Sequence, residues 1–254
     1  MSAHGWIVPE WPAPRGVHAL ITTRAGGASR GAYAGLNLGT GSGDAAGDVA
    51  RNRASLRQWL PAEPMWLRQV HGREVATVVE APSGPVDPVD APEADAAVTA
   101  LVGVPLVVMT ADCAPVALVA LDGHDGTARA VGVLHAGWQG LLAGVVAAGV
   151  AALRALHDGP VRAVLGPCIH AGRYEFGEDA LVPMVERFGP TVASRTDWGT
   201  PSLDVPSAVG IALREAGVAE WADVDVCTAE SPDHFSHRRD GVSGRQAVVV
   251  VRTP

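Results

Sequence analysis

Residues 106–140 read LVVMTADCAPVALVALDGHDGTARAVGVLHAGWQG. Three apolar runs of strand length lie in this stretch, and polar chemistry interrupts them. Asp112 and Cys113 stand between two of the runs, His135 stands near the end of the third, and a Gly137-Trp138-Gln139-Gly140 turn then leads into a helix. A buried strand can end on Cys or His for packing alone. The two gain a functional meaning if other parts of the chain converge on them.

The 254 residues suffice for a substantial core and are read as one domain, residues 1–254. With 48% hydrophobic and 18% charged residues the chain has a globular composition, and no apolar run reaches the ~18 residues of a membrane span. The N-terminal MSAHGWIVPEWPAP has neither a basic n-region nor an apolar h-region, so no signal peptide and a cytoplasmic location are expected. Cys113, Cys168 and Cys227 are odd in number and widely spaced, which argues against a disulfide framework. A net charge of −8 with no basic run argues against a nucleic-acid partner and in favour of a small substrate. All 19 cationic residues are Arg. The absence of Lys removes Schiff-base chemistry and the P-loop lysine, and leaves Arg as the one fully charged anion ligand.

Outward from the central stretch, residues 17–23 read as a first strand, followed by a Gly-, Ser- and Asn-rich loop. Gly41, Gly43 and Gly47 in that loop lack both the preceding buried strand and the spacing of a dinucleotide-binding turn. Residues 49–60 carry apolar side chains at helical spacing, with Asp48 as N-cap and Pro61 as the stop. Residues 65–70 are strand-like and deliver His71-Gly72 into a turn, after which residues 74–80 resume a β pattern. The Pro- and Asp-rich residues 82–95 form a surface loop that leads into a strand over residues 96–100. Beyond the central stretch the pattern predicts a largely buried helix over residues 141–156, a strand over 161–165, helices over 179–188 and 205–215, and strands over 224–228 and 246–252. The polar segment 234–241 is a loop between the last two strands. Strands and helices interspersed without strict βαβ alternation favour a mixed-sheet α/β or α+β sandwich over a Rossmann fold or a barrel.

His71, Cys113 and His135 all sit where a strand run ends at a turn containing Gly or Pro. Three N/S donors of this kind match a catalytic zinc site, in which a fourth position stays open. They also match the His2Cys site of blue copper, with Met109 as an axial ligand. A true multicopper oxidase needs many more ligands, and the nine His include no His-x-His pair. Alternatively Cys113 is a nucleophile with His135 as its base, and Asp112 or a backbone carbonyl orients the pair. His71 discriminates, because a dyad has no use for it.

The candidates fall within a longer ordered set of motifs. These are Thr23-Arg24-x-Gly26-Gly27, Asn37-Leu38-Gly39, Asn52-Arg53, Gln69-Val70-His71-Gly72, Asp95-Ala96, Thr110-Ala111-Asp112-Cys113-x-Pro115-Val116, His135-Ala136-Gly137-Trp138, Gly166-Pro167-Cys168-Ile169, and Phe235-Ser236-x-Arg238-Arg239-Asp240-Gly241 with Gly244-Arg245-Gln246. The set, which spans nearly the whole chain, resembles the YfiH family. That family is also called the laccase-domain-containing or polyphenol oxidase family, and its members have been assigned purine nucleoside phosphorylase activity.

The resemblance implies a four-layer α/β/β/α sandwich with mixed sheets, similar to the deamidase domain of cytotoxic necrotizing factor. It also implies a zinc ion on His71, Cys113 and His135, with copper as the alternative. The implied activity is phosphorolysis of adenosine, inosine and methylthioadenosine, with adenosine deamination as a second activity. Arg24, Asn37, Arg53, Gln139, Arg238 and Arg239 are then the residues to bind substrate and phosphate, the arginines beside Asp240 being the strongest. Asp112 joins the catalytic set by orienting a His or bonding ribose. Two positions depart from the family pattern: Gln139 stands where Arg is usual, and His237 where an aromatic residue is usual. A cation lost at position 139 weakens anion binding unless Arg238 and Arg239 supply the charge. The alternatives are a copper-dependent polyphenol oxidase, a Cys-His amide hydrolase editing cell-wall precursors, and a zinc-stabilised binding module. Monomer and homodimer both stay open.

Overall fold

The computed structural model describes residues 6–9, 14–85 and 89–254. Part of the N-terminal segment and residues 86–88 of the Pro-rich loop lie outside them. In chain order the elements begin with β1 (Val17–Ile21), α1 (Ala46–Arg57), β2 (Val75–Thr77), β3 (Ala96–Thr99), β4 (Leu106–Thr110), β5 (Ala114–Leu121) and β6 (Ala128–Ala136). Next come α2 (Trp138–Ala143), α3 (Val145–Leu156), β7 (Val161–Leu165), α4 (Glu178–Phe188) and a hairpin of β8 (Ala193–Arg195) and β9 (Pro201–Leu203). The remaining elements are α5 (Val205–Glu215), β10 (Glu220–Asp223), α6 (His237–Asp240) and β11 (Gln246–Arg252).

Two principal sheets carry the fold: an antiparallel sheet ordered β1-β11-β4 and a mixed six-stranded sheet ordered β10-β7-β5-β6-β3-β2. Their central strands β4, β5, β6 and β11 are buried along nearly their whole length, and the two-residue period sorts the side chains into separate clusters. Leu106, Val108, Val248 and Val250 of the smaller sheet meet Ala117, Val119, Val131 and Val133 of the larger one. Val107, Ala247 and Val249 point the opposite way, against Leu38, Leu56, Leu60 and Trp66 on the α1 side. On the far face of the larger sheet, Val116, Leu118, Leu134 and Leu165 pack against α2, α3, α4 and α5. The layers are therefore α/β/β/α, as expected. Helix α3 lies close on β6 because Gly149 faces Leu134: a Cβ at position 149 would fall 2.2 Å from Leu134 Cδ2.

Several local expectations are corrected. The single helix over residues 141–156 is two, because Gly144 adopts φ +90° between α2 and α3. Asp48 is not an N-cap: α1 begins earlier, the capping position is Ala45, and Asp48 pairs with Arg51. Residues 65–70 form no regular strand. They make isolated bridges to Leu106 of β4 at Met65 and to Glu93 in the segment before β3 at Arg68, so no ladder propagates. Of residues 74–80, only Val75–Thr77 form a strand. The strand expected over residues 224–228 forms upstream as β10, since its partner β7 ends at Leu165 and Asp225 turns the chain with φ +53°. The loop over residues 234–241 contains the short α6, capped by the Ser236 hydroxyl accepting from Arg239 N.

Candidate metal centre

The register of β5 and β6 pairs Ala114 with Ala136 and Pro115 with His135. This brings Cys113 opposite Gly137. The space there is tight: a Cβ at Gly137 would lie 3.0 Å from both Cys113 Sγ and His71 Cδ2. The segment carrying His71 is held to β4 by a side chain that imitates a strand. Gln69 donates from Nε2 to Met109 O at 2.8 Å and accepts from Met109 N at 2.8 Å.

Beyond Gln69 the chain turns sharply, with His71 at φ +61°, a conformation costly for a non-glycine residue. Asp95 compensates. The backbone N–H groups of Val70, His71 and Gly72 all donate to its carboxylate, at 3.1, 2.9 and 2.7 Å. Asp95 immediately precedes β3, and the pairing of β3 with β6 sets it beside His135. His135 N donates to Asp95 O at 2.7 Å, and His135 Nδ1 lies 2.7 Å from Asp95 Oδ1. One fully buried carboxylate thus fixes both histidines. Burial works to raise the Asp95 pKa, but the donors from His135, Gly72 and Val70 and the charge of His135 bring it below the usual carboxylate value. An ionised carboxylate only accepts, so Nδ1 of His135 carries a proton, and Nε2 is the nitrogen left to bind a metal once it has lost its own.

His71 Nε2 lies 3.7 Å from Cys113 Sγ, and the two imidazoles meet edge to face with centroids 4.8 Å apart. Candidate ligand atoms of His71, Cys113 and His135 all lie within 4.8 Å of one another, with His71 exposed, Cys113 partly buried and His135 buried. The centre therefore opens on its His71 side. Burial alone would push the Cys113 thiol up, yet His135 and then His71 outweigh it and bring the pKa down to about 6. For His135, burial works against the charged form, but the Cys113 thiolate and Asp95 raise its pKa to about 9.

Asp112, at φ +97°, does not orient a histidine. Its Oδ1 accepts from Thr228 Oγ1 at 2.7 Å and its Oδ2 from Arg238 N at 2.6 Å, so it ties the C-terminal segment to the β4–β5 turn. The orienting role belongs to Asp95, which the sequence places in the Asp95-Ala96 motif without assigning it a role. Asn37 is fully buried; its side chain bonds Gly39, Ser42, Asp44 and Arg245, and its carbonyl accepts from Asn52 Nδ2. Arg239 donates to the carbonyls of Thr228, Ser231 and His234 and pairs with Asp240. Arg53 lies 3.8 Å over the Trp66 ring and donates to Leu38 O. Arg24 holds Ala34 O and covers Phe235. Arg238 donates to Glu175 O and covers the Tyr174 ring. Gln139 is exposed in the first turn of α2.

Fold and site together define an α/β/β/α sandwich with an open His/Cys/His donor centre at one end of its paired sheets. The chain belongs to the multi-copper polyphenol oxidoreductase laccase family, whose model matches residues 18–253. It is 46% identical over 239 residues to a purine nucleoside phosphorylase of Streptomyces coelicolor, covering 91% of this chain and 94% of that one. To the Escherichia coli purine nucleoside phosphorylase YfiH it is 36% identical over 247 residues, covering 95% and 96%. Among solved structures, YlmD from Geobacillus stearothermophilus superposes with a TM-score of 0.86 at 29% identity, covering 100% of this chain and 98% of that one. A Neisseria meningitidis protein superposes with a TM-score of 0.84 at 35% identity, covering 98% and 99%.

Proposed function

We propose that this protein is a zinc-dependent purine nucleoside phosphorylase of the cytoplasm, acting on adenosine, inosine and methylthioadenosine, with adenosine deamination as a second activity. The relatives named as purine nucleoside phosphorylases support the phosphorolysis, and the open donor centre supports the metal. Two imidazoles and a readily ionised thiol suit zinc, and His135 backed by Asp95 has the outer hydrogen bond that metal-binding histidines usually make. Copper is the alternative ion. Bound there, zinc would supply a Lewis acid and an activated water.

The chain's own groups supply the rest. Asp95 holds the His135 proton on Nδ1 and the His71 turn in place, so both rings keep one orientation. Trp138, Phe176 and Tyr174 form an aromatic cluster, with Trp138 following Gly137 directly. Such a wall suits the face of a purine. Tyr174 is pushed up to about 12, by burial first and then by the nearby Cys113 charge, so its hydroxyl keeps its proton and can bond a base or ribose.

The test incubates inosine with pure protein, with and without phosphate. Hypoxanthine should be released in proportion to phosphate, and release that is absent or indifferent to phosphate removes the phosphorylase reading. Ammonia release from adenosine tests the second activity. A second reading, a Cys113-His135-Asp95 hydrolase of amide substrates, is favoured by the thiol pKa near 6 and the carboxylate behind the imidazole. Metal analysis separates the two: Cys113→Ala should lose zinc on the first reading, whereas on the second the wild type holds none.

A further inference from the structure

We propose that Arg245 forms the inorganic-phosphate subsite of this centre, with Nε and Nη2 of its guanidinium donating to the oxyanion. The end of the small sheet sets its place. Gln246 pairs with Thr110, so Arg245 lies one step beyond the β4–β11 ladder, where the Ala111-Asp112-Cys113 turn begins. Its charge is felt from Cys113 and Asp112, while burial holds its pKa below the ordinary arginine value.

The backbone of Arg245 is fixed on both sides, its N donating to Asn37 Oδ1 at 2.8 Å and its O accepting from Leu38 N at 3.0 Å. Gly39 leaves room for the stem, since a Cβ there would fall 2.7 Å from Arg245 Cγ. Of the guanidinium nitrogens, Nη1 is committed to the carbonyls of Ser243 and Gly244, at 3.0 and 2.9 Å. Among the described residues no hydrogen bond is made by Nε or Nη2, and no carboxylate lies within ion-pair distance of Arg245. A largely desolvated guanidinium with no carboxylate in contact is stabilised by an anionic ligand, and its two remaining nitrogens form the fork that matches a phosphate. By contrast Arg239 is neutralised by Asp240, and Arg53 is stacked on Trp66.

The biological use of this subsite rests on the phosphorylase reading, so the test has one arm that needs no catalysis. Wild-type protein is treated with phenylglyoxal, with and without inorganic phosphate, and modified arginines are located by peptide mass. Phosphate should shield Arg245 at least about tenfold. If it shields another arginine and not Arg245, or if AMP shields Arg245 and inorganic phosphate does not, the assignment falls. In the kinetic arm, Arg245→Gln should raise the phosphate KM about tenfold or more with the nucleoside KM unchanged, and Arg245→Lys should recover part of the loss. Zinc content and Tm serve as checks on folding. An unchanged phosphate KM in a folded, active Gln variant overturns the proposal. Shielding of Arg245 in a protein without phosphorolysis would instead leave the subsite standing and remove the enzymatic reading.

Discussion

Replacing Asp95 by Asn changes no volume and removes one charge, yet it should disable the centre. In the native protein Oδ1 takes His135 Nδ1 and His71 N, and Oδ2 takes Gly72 N and Val70 N. An Asn side chain keeps one acceptor oxygen and turns an NH2 group towards the other two donors. Two charge-assisted hydrogen bonds at ~1.5–3 kcal/mol each are lost, a destabilisation of about 3–6 kcal/mol. At ~2–4 °C per kcal/mol for a chain of this size, Tm should drop on the order of 10 °C. If the amide NH2 instead faces His135, Nδ1 must give up its proton to accept, and Nε2 then carries a hydrogen towards the metal. Zinc affinity should fall by about 10–100-fold. Competition with a chromophoric chelator measures the affinity, and scanning calorimetry of metal-free protein measures the stability. Should Asp95→Asn bind zinc within about threefold of wild type and melt at the same temperature, the carboxylate is not what organises the two histidines.

Two further outcomes follow from the same geometry. The Cys113 pKa is about 6 against an ordinary 9.0, so its stabilising contribution is complete above 9.0 and is lost as pH falls through about 6. That of His135, raised to about 9 from 6.5, is complete below 6.5 and is lost as pH rises through about 9. Metal-free protein should therefore be most stable between those limits, and iodoacetamide should alkylate Cys113 with a midpoint near pH 6; a midpoint near 9 would mean the imidazoles do not stabilise the thiolate. Gly137→Ala places a methyl 3.0 Å from Cys113 Sγ and His71 Cδ2, and should weaken zinc binding about tenfold while costing ~1–3 kcal/mol of stability. Unaltered zinc binding in that variant would show that the donors have room to spare.

The strands that build the centre were legible because their signals are local. Leu106–Thr110, Val161–Leu165 and Gln246–Arg252 are apolar runs bounded by Gly, Pro or polar residues, and they form strands at those positions. His71, Cys113 and His135 were found by residue type and by their places at run ends. Asp95 stands in the motif set without a role, since that role depends on N–H groups 23 to 25 residues away, which no local pattern shows. Nor did local pattern separate the arginines. Arg238 and Arg239 stand out as a pair, but Arg239 spends its donors on its own loop, whereas Arg245, within the Gly244-Arg245-Gln246 motif, carries no role that its neighbours in sequence suggest. The split at Gly144 was equally hidden, because an isolated Gly inside an Ala- and Leu-rich run reads as a tolerated helical residue until its φ is known.

Strand β11 lies between β1 and β4, which do not pair with each other. The smaller sheet therefore cannot form while the chain emerging from the ribosome is still short of its last strand. All three candidate metal ligands, and Asp95 behind them, are translated more than a hundred residues before Arg245, whose N–H bond to the Asn37 side chain spans 208 residues. High contact order of this kind slows folding. A nascent chain can gather its His and Cys side chains early, but the strand that joins β1 to β4 arrives last. Truncation before Gln246 should therefore leave a thiol-bearing, aggregation-prone intermediate with an unpaired β4 edge, rather than a smaller folded protein.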